Sequence, residues 1–197
     1  MRTITKAVLA TAIVAIVSAV LLTSSNSFAQ DETKLPKSIF IQAQAMGQST
    51  QLGQTFSVNL IIEEFSTTED KKALLEAFNQ KGNEGLVNAL SKMNSKGRMA
   101  ITGTLGYDVN YIKKFDMPDG STKIRLVTDR PIRFGEAWGD TRSMDYNLSG
   151  AEIILSPDKD KNSGILFPAC MFKIDKENQL QIELRQNAWK LVNVRER

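Results

Sequence analysis

Apolar residues recur at every second position over most of the chain, a rhythm that predicts a protein built mainly of strands. Ile39, Ile41, Ala43 and Ala45 alternate with polar or larger neighbours, and past a Gly/Ser/Thr/Gln turn Phe56, Val58, Leu60 and Ile62 do the same. Alternation resumes with Met99, Ile101 and Leu105, and Tyr107, Val109 and Tyr111 continue it on one face. Pro118-Asp119-Gly120-Ser121 is a turn signal, after which Ile124 and Leu126 share a face. Ala151, Ile153 and Leu155, the largely apolar run 165–174, the group Leu180, Ile182 and Leu184, and the segment 189–194 complete the strand signals. Runs joined by short polar turns imply antiparallel hairpins, not crossover units.

The period changes between residues 66 and 97. Ser66-Thr67-Thr68-Glu69 has capping-box spacing, with Ser66 as the cap and Glu69 reaching back. Leu74, Leu75 and Phe78 make one helical face that stops at Lys81-Gly82; Leu86, Leu90 and Met93 make a second that stops at Lys96-Gly97. Such stripes read as core contacts in preference to a partner groove. The predicted fold is mainly β (α+β), an antiparallel barrel or sandwich of about eight strands with an inserted pair of short helices.

An export signal precedes this domain. Arg2 and Lys6 open a positive start, residues 7–22 are apolar or small, and Ser27-Phe28-Ala29 places small residues where a signal peptidase reads. The apolar run falls short of the ~20 residues that span a bilayer, so residues 1–29 read as a signal peptide cut between Ala29 and Gln30. Residues 30–37, polar and carrying Pro36, form a flexible lead-in, and 38–197 a single β-rich domain. The predicted location is outside the bacterial cytoplasm, periplasmic or secreted, with no membrane span once the signal is removed.

Composition then narrows the chemistry. The chain has 25 basic and 22 acidic side chains; the signal holds Arg2, Lys6 and no acid, so the processed chain keeps 23 against 22, a net charge of +1. Charge so balanced and dispersed gives no footprint for nucleic acid. Histidine is absent, which removes Ser-His and Cys-His nucleophilic pairs and the commonest transition-metal ligand. Cys170 stands alone, so no internal disulfide forms, and its apolar surroundings read as those of a buried small hydrophobe. No cofactor or metal is expected.

Several segments resemble a family of exported bacterial proteins with no assigned function. They are Ser66-Thr67-x-Glu69, Leu74-Leu75, Lys81-Gly82, Gly103-x-Leu105-Gly106-Tyr107-Asp108, Thr128-Asp129-Arg130-Pro131-Ile132-x-Phe134, Asp145-Tyr146 and Ile182-Glu183-Leu184. The resemblance runs across nearly the whole mature region and implies export and one domain. It implies no activity.

The most unusual stretch is Asp129 to Tyr146, longer than a hairpin connection and rich in both charge signs. Arg130, Arg133 and Arg142 could fork a carboxylate or phosphate there, with Trp138 as a stacking surface. The competing reading pairs those arginines with their own acids and uses Trp138 as a plug. The same loop permits a carboxylate-based hydrolase acting on an extracellular polymer, if Glu136 and Asp140, or Asp129 and Asp145, lay close together. Asp158-x-Asp160-x-Asn162 starts like a calcium loop, but Ser163 and Ala169 stand where Gly and Glu belong, so it reads as a hairpin turn. The triplet Asn147-Leu148-Ser149 carries no further meaning in a bacterial protein. The leading expectation is a non-enzymatic exported domain that holds a small apolar ligand or an envelope protein, or serves as a structural envelope component.

Overall fold

In the computed structural model, which describes residues 38–132, 146–183 and 188–197, the alternating segments become ten strands. These are β1 Ile39–Met46, β2 Thr55–Ile62, β3 Gly97–Ile101, β4 Tyr107–Val109, β5 Tyr111–Asp116, β6 Thr122–Thr128, β7 Leu148–Leu155, β8 Ser163–Ile174, β9 Leu180–Glu183 and β10 Trp189–Glu196. The predicted signal peptide and lead-in lie outside the described residues. Every pairing is antiparallel, along the path β4-β3-β2-β1-β10-β8-β7-β6-β5, with β9 beside the far end of β8.

The two ends of that path are neighbours in the chain. Only Asn110 separates β4 from β5, and its N–H donates to the Val127 carbonyl of β6 at 3.0 Å. Residues 107–116 therefore serve β3 with their first half and β6 with their second, and the sheet returns on itself as an up-and-down barrel. Counted around the ring there are eight strand positions, as expected. The two additional labels come from the break at Asn110 and from β9.

Alternation fills the barrel. Ile41, Ala43 and Ala45 of β1, Val58, Leu60 and Ile62 of β2, Ile124 and Leu126 of β6, and Trp189, Leu191 and Val194 of β10 all point into one core, none more than 5% exposed. Trp189 stacks obliquely on Phe56, ring centroids 4.6 Å apart. Two expectations fail locally. Tyr111 does not share a face with Val109: the chain bends at Asn110, so Val109 enters the barrel while Tyr111 packs in a second core outside it. Leu105 lies in the β3–β4 turn, 86% exposed.

The second core sits between the barrel wall and the helix α1, Thr68–Leu90. Leu74, Leu86 and Leu90 meet Tyr111, Leu148, Cys170 and Phe172 there. Cys170 is buried, as expected, and burial pushes its thiol well above the ordinary value. The helix has two arms, in keeping with the predicted pair, because Lys81 (φ −139°) and Gly82 (φ 58°, ψ −140°) break the helical path. That backbone region is one in which only glycine sits without strain.

Both helix ends differ in detail from the sequence reading. The capping box is Thr67 with Asp70, each side chain bonded to the other's N–H at 3.1 and 2.8 Å. Ser66 is buried and otherwise engaged, its hydroxyl accepting from the Ile112 N–H at 2.9 Å and its N–H donating to the Ile112 carbonyl at 2.8 Å. The second arm ends at Leu90, and Gly97 begins β3. Beside the cap, Lys96 bridges Glu64 at 2.5 Å and Asp70 at 3.6 Å, tying the helix start to the barrel.

Asn83 follows the kink at once and acts as a surrogate strand edge. Its amide donates to the Phe172 carbonyl at 3.0 Å and its oxygen accepts from the Phe172 N–H at 2.7 Å. β7 reaches only as far as Cys170 along β8, and β9 takes the other edge at Phe172. The side chain therefore satisfies backbone groups that no strand reaches.

Candidate functional site

The segment singled out by sequence is entered through a fixed hinge. Thr128 ends β6 opposite Ser149 of β7, and neither side chain is accessible to solvent. Their hydroxyls touch each other, and they stand 2.6 and 2.9 Å from the Arg130 carbonyl. Two hydroxyl protons thus hold a triangle of three oxygens. Pro131 follows, and then the Ile132 N–H donates to the Pro168 carbonyl at 2.9 Å while its side chain enters the barrel core at 1% exposure. The Thr-Asp-Arg-Pro-Ile motif therefore closes one end of the barrel.

Arg130 points outward and is already occupied. Its Nε donates to Asp129 Oδ1 at 2.8 Å and its Nη2 to Oδ2 at 3.3 Å. That bidentate pair raises the guanidinium further above its ordinary value, with Asp108 and Tyr107 adding to it. On the neighbouring strands Arg98 pairs with Asp108 at 3.1 Å. Self-pairing, the competing reading of this segment, accounts for Arg130 and Asp129. The other proposed ligand-binding residues, Arg133, Trp138 and Arg142, lie outside the described residues, as do Glu136, Asp140 and Asp145 of the hydrolase reading.

The calcium-like stretch is a hairpin turn. Asp158 Oδ1 accepts from the Asp160 N–H at 3.2 Å and Oδ2 pairs with Lys161 at 3.2 Å, while Asn162 bonds Ser156 and Val194. Its oxygens serve the turn itself. Among the described residues no group of three or more acidic or cysteine side chains is placed to hold a metal. No described helix is long and apolar enough to cross a membrane.

Inward side chains form one buried cluster along the barrel, and among the described residues the wall carries an open space on its outer face. An apolar groove of about 550 Å³ runs over β7, β8 and the start of β10, lined by Ile154, Ile165, Phe167 and Ala188 with Glu152 and Lys190 at its edges. Ile154 and Ile165 are 39% and 43% exposed. Here α1 no longer covers the wall. Glu152, Ile165 and Lys190 form one rung across three strands, the isoleucine between opposite charges. Glu152 is anchored by Arg125, a 5% exposed guanidinium whose Nη2 and Nε reach Glu152 Oε1 at 2.6 and 2.7 Å. Arg125 also donates to the Leu180 carbonyl, which pins β9 to the wall.

Compared with protein-family models, curated proteins and solved structures, the chain matches none. Sequence reading missed the groove because it followed only the inward-facing positions. A signal was present: Ile153-Ile154 and Ile165-Leu166-Phe167 are apolar at both parities, which marks a strand with apolar residues on both faces.

Proposed function

We propose that this protein is exported to the bacterial envelope and works there as a non-enzymatic binding domain, engaging a partner protein across its outer wall. Export is supported by the positive, apolar and small-residue segments of positions 1–29. The observation that carries the binding reading is the open apolar groove at Ile154, Ile165 and Phe167, on the outer face of a wall whose inward side chains pack together. A carrier of apolar ligands needs an enclosed space to hide them, and the close packing of the inward side chains favours a site on the outside. A flat strip of isoleucine flanked by Glu152 and Lys190 instead offers a partner an apolar centre and a charged rim.

The test is native mass spectrometry of the protein purified from its own host, beside an Ile154→Asp, Ile165→Asp variant. The expected result is a chain beginning at Gln30 that carries a bound protein lost in the variant, with the melting temperature within a few degrees of wild type. Wild-type protein found only at the monomer mass would overturn the binding reading. A chain still carrying residues 1–29 would overturn the export reading.

A further inference from the structure

Two arginines stand apart from the others. Of the five described arginines, Arg98, Arg125 and Arg130 are each ion-paired. Arg195 and Arg197, at the end of β10 and just beyond it, make no ion pair and no side-chain hydrogen bond among the described residues. The cause lies in the neighbouring strands. The 25 residues from Ser38 to Ile62, which include all of β1 and β2, contain no charged side chain, so neither of those strands offers these arginines a counter-charge.

Those strands present hydrogen-bonding groups instead. Arg195 pairs in register with Gln42, and Gln42 with Asn59; Gln44 sits opposite Ser57. Asn193 holds a left-handed backbone (φ 51°) where the β1–β10 register shifts, and its amide donates to Gln44 Oε1 at 3.0 Å. A bulge of this kind redirects side chains locally. Gln42, Gln44, Ser57, Asn193, Arg195 and Arg197 thereby line a groove of about 370 Å³ that no acidic side chain among the described residues lines. Glu196 and Asp160, with Lys159, face an adjoining groove of about 690 Å³ that shares the two arginines.

The geometry points to a binding site for a saccharide that carries carboxylate groups. Guanidinium forks match carboxylates bidentately, and two of them line the same groove. The amides and the serine hydroxyl both donate and accept, which is what sugar hydroxyls require. Among the described residues the only apolar one lining this groove is Ala43, which suits a saccharide; the adjoining groove adds Ile39, Leu155 and Val194 beside the same arginines, and vesicles therefore belong in the test. The site is separate from the isoleucine strip of the proposed function.

Isothermal titration of the protein with a trimer of galacturonic acid tests this, beside neutral trigalactose, inorganic phosphate and phosphatidylglycerol vesicles. The expected result is saturable binding of the acidic trimer that weakens with salt, with trigalactose and phosphate at least tenfold weaker. Arg195→Ala with Arg197→Ala should weaken it at least tenfold; both sites are exposed, and an unchanged melting temperature verifies folding. Arg195→Lys with Arg197→Lys keeps the charge and removes the forks, and should recover only part of the loss. Ile165→Asp should leave saccharide binding intact. No binding of the acidic trimer, equal binding of trigalactose, equal affinity in the alanine variant, or binding of vesicles alone would each overturn the assignment.

Discussion

Replacing Asn83 by alanine should destabilise the protein far more than a half-buried polar residue on a helix ordinarily does. The substitution removes one acceptor, 2.7 Å from the Phe172 N–H, and one donor, 3.0 Å from the Phe172 carbonyl. Phe172 is 1% exposed, so water does not readily replace either bond. Each lost bond is worth about 1 kcal/mol, and a buried group left unpaired costs about 1–3 kcal/mol. Two such groups, partly relaxed, give a loss of about 2–4 kcal/mol. Urea unfolding followed by tryptophan fluorescence reads this directly. With a slope of about 2 kcal/mol/M, the midpoint should fall by about 1–2 M at unchanged slope. Asn83→Asp keeps the acceptor but sets a carboxylate oxygen against the Phe172 carbonyl, so at neutral pH it should be no more stable than alanine. A midpoint shift below about 0.25 M for Asn83→Ala would refute the surrogate-strand argument.

Other expectations follow from the same structure. Gly82→Ala meets no atom within 4 Å, so its loss is purely conformational, about 1–3 kcal/mol, read by the same urea titration. Trp189→Ala should cost about 3–5 kcal/mol, whereas Trp189→Phe should cost under about 1.5 kcal/mol, because the buried indole N–H has no partner among the described residues; calorimetry separates them. Burial pushes the Tyr111 hydroxyl up to about 12, so the folded state favours the neutral form. That stability, up to about 3 kcal/mol, is full below about pH 10 and lost as pH rises through 12. Burial of the Cys170 thiol acts in the same direction from a lower starting pH. Tyr111→Phe should flatten the fall in melting temperature above pH 10, and an equally steep fall would contradict this.

The antiparallel strands, but not their closure into a barrel instead of a sandwich, were legible: nearly every inward position keeps the two-residue rhythm, and short turns such as 117–121 announce hairpins. Asp119 there accepts from both the N–H and hydroxyl of Ser121, and those bonds hold its carboxyl below the ordinary value. Long-range partnerships were not legible. Nothing local says that Ser66 bonds to Ile112 instead of capping its helix, or that Asn110 turns one strand's face over. Asn83 resembles any helical asparagine until Phe172, 89 residues away, arrives beside it. At the candidate site, the mixture of charge signs agrees with the one described pair, Arg130 with Asp129. The exposed face of β8 and the unpaired arginines of β10 required knowing which strands flank them.

The ring has one further implication. β1 is completed on one side by β2, its immediate successor, and on the other by β10, roughly 150 residues later in the sequence. A chain emerging from a ribosome or a membrane pore cannot seal its circuit until that last segment appears. Early hairpins are left with raw borders meanwhile, and cooperative collapse is postponed until β10 is delivered. On the export route proposed above, such lateness would keep the polypeptide pliable during transit.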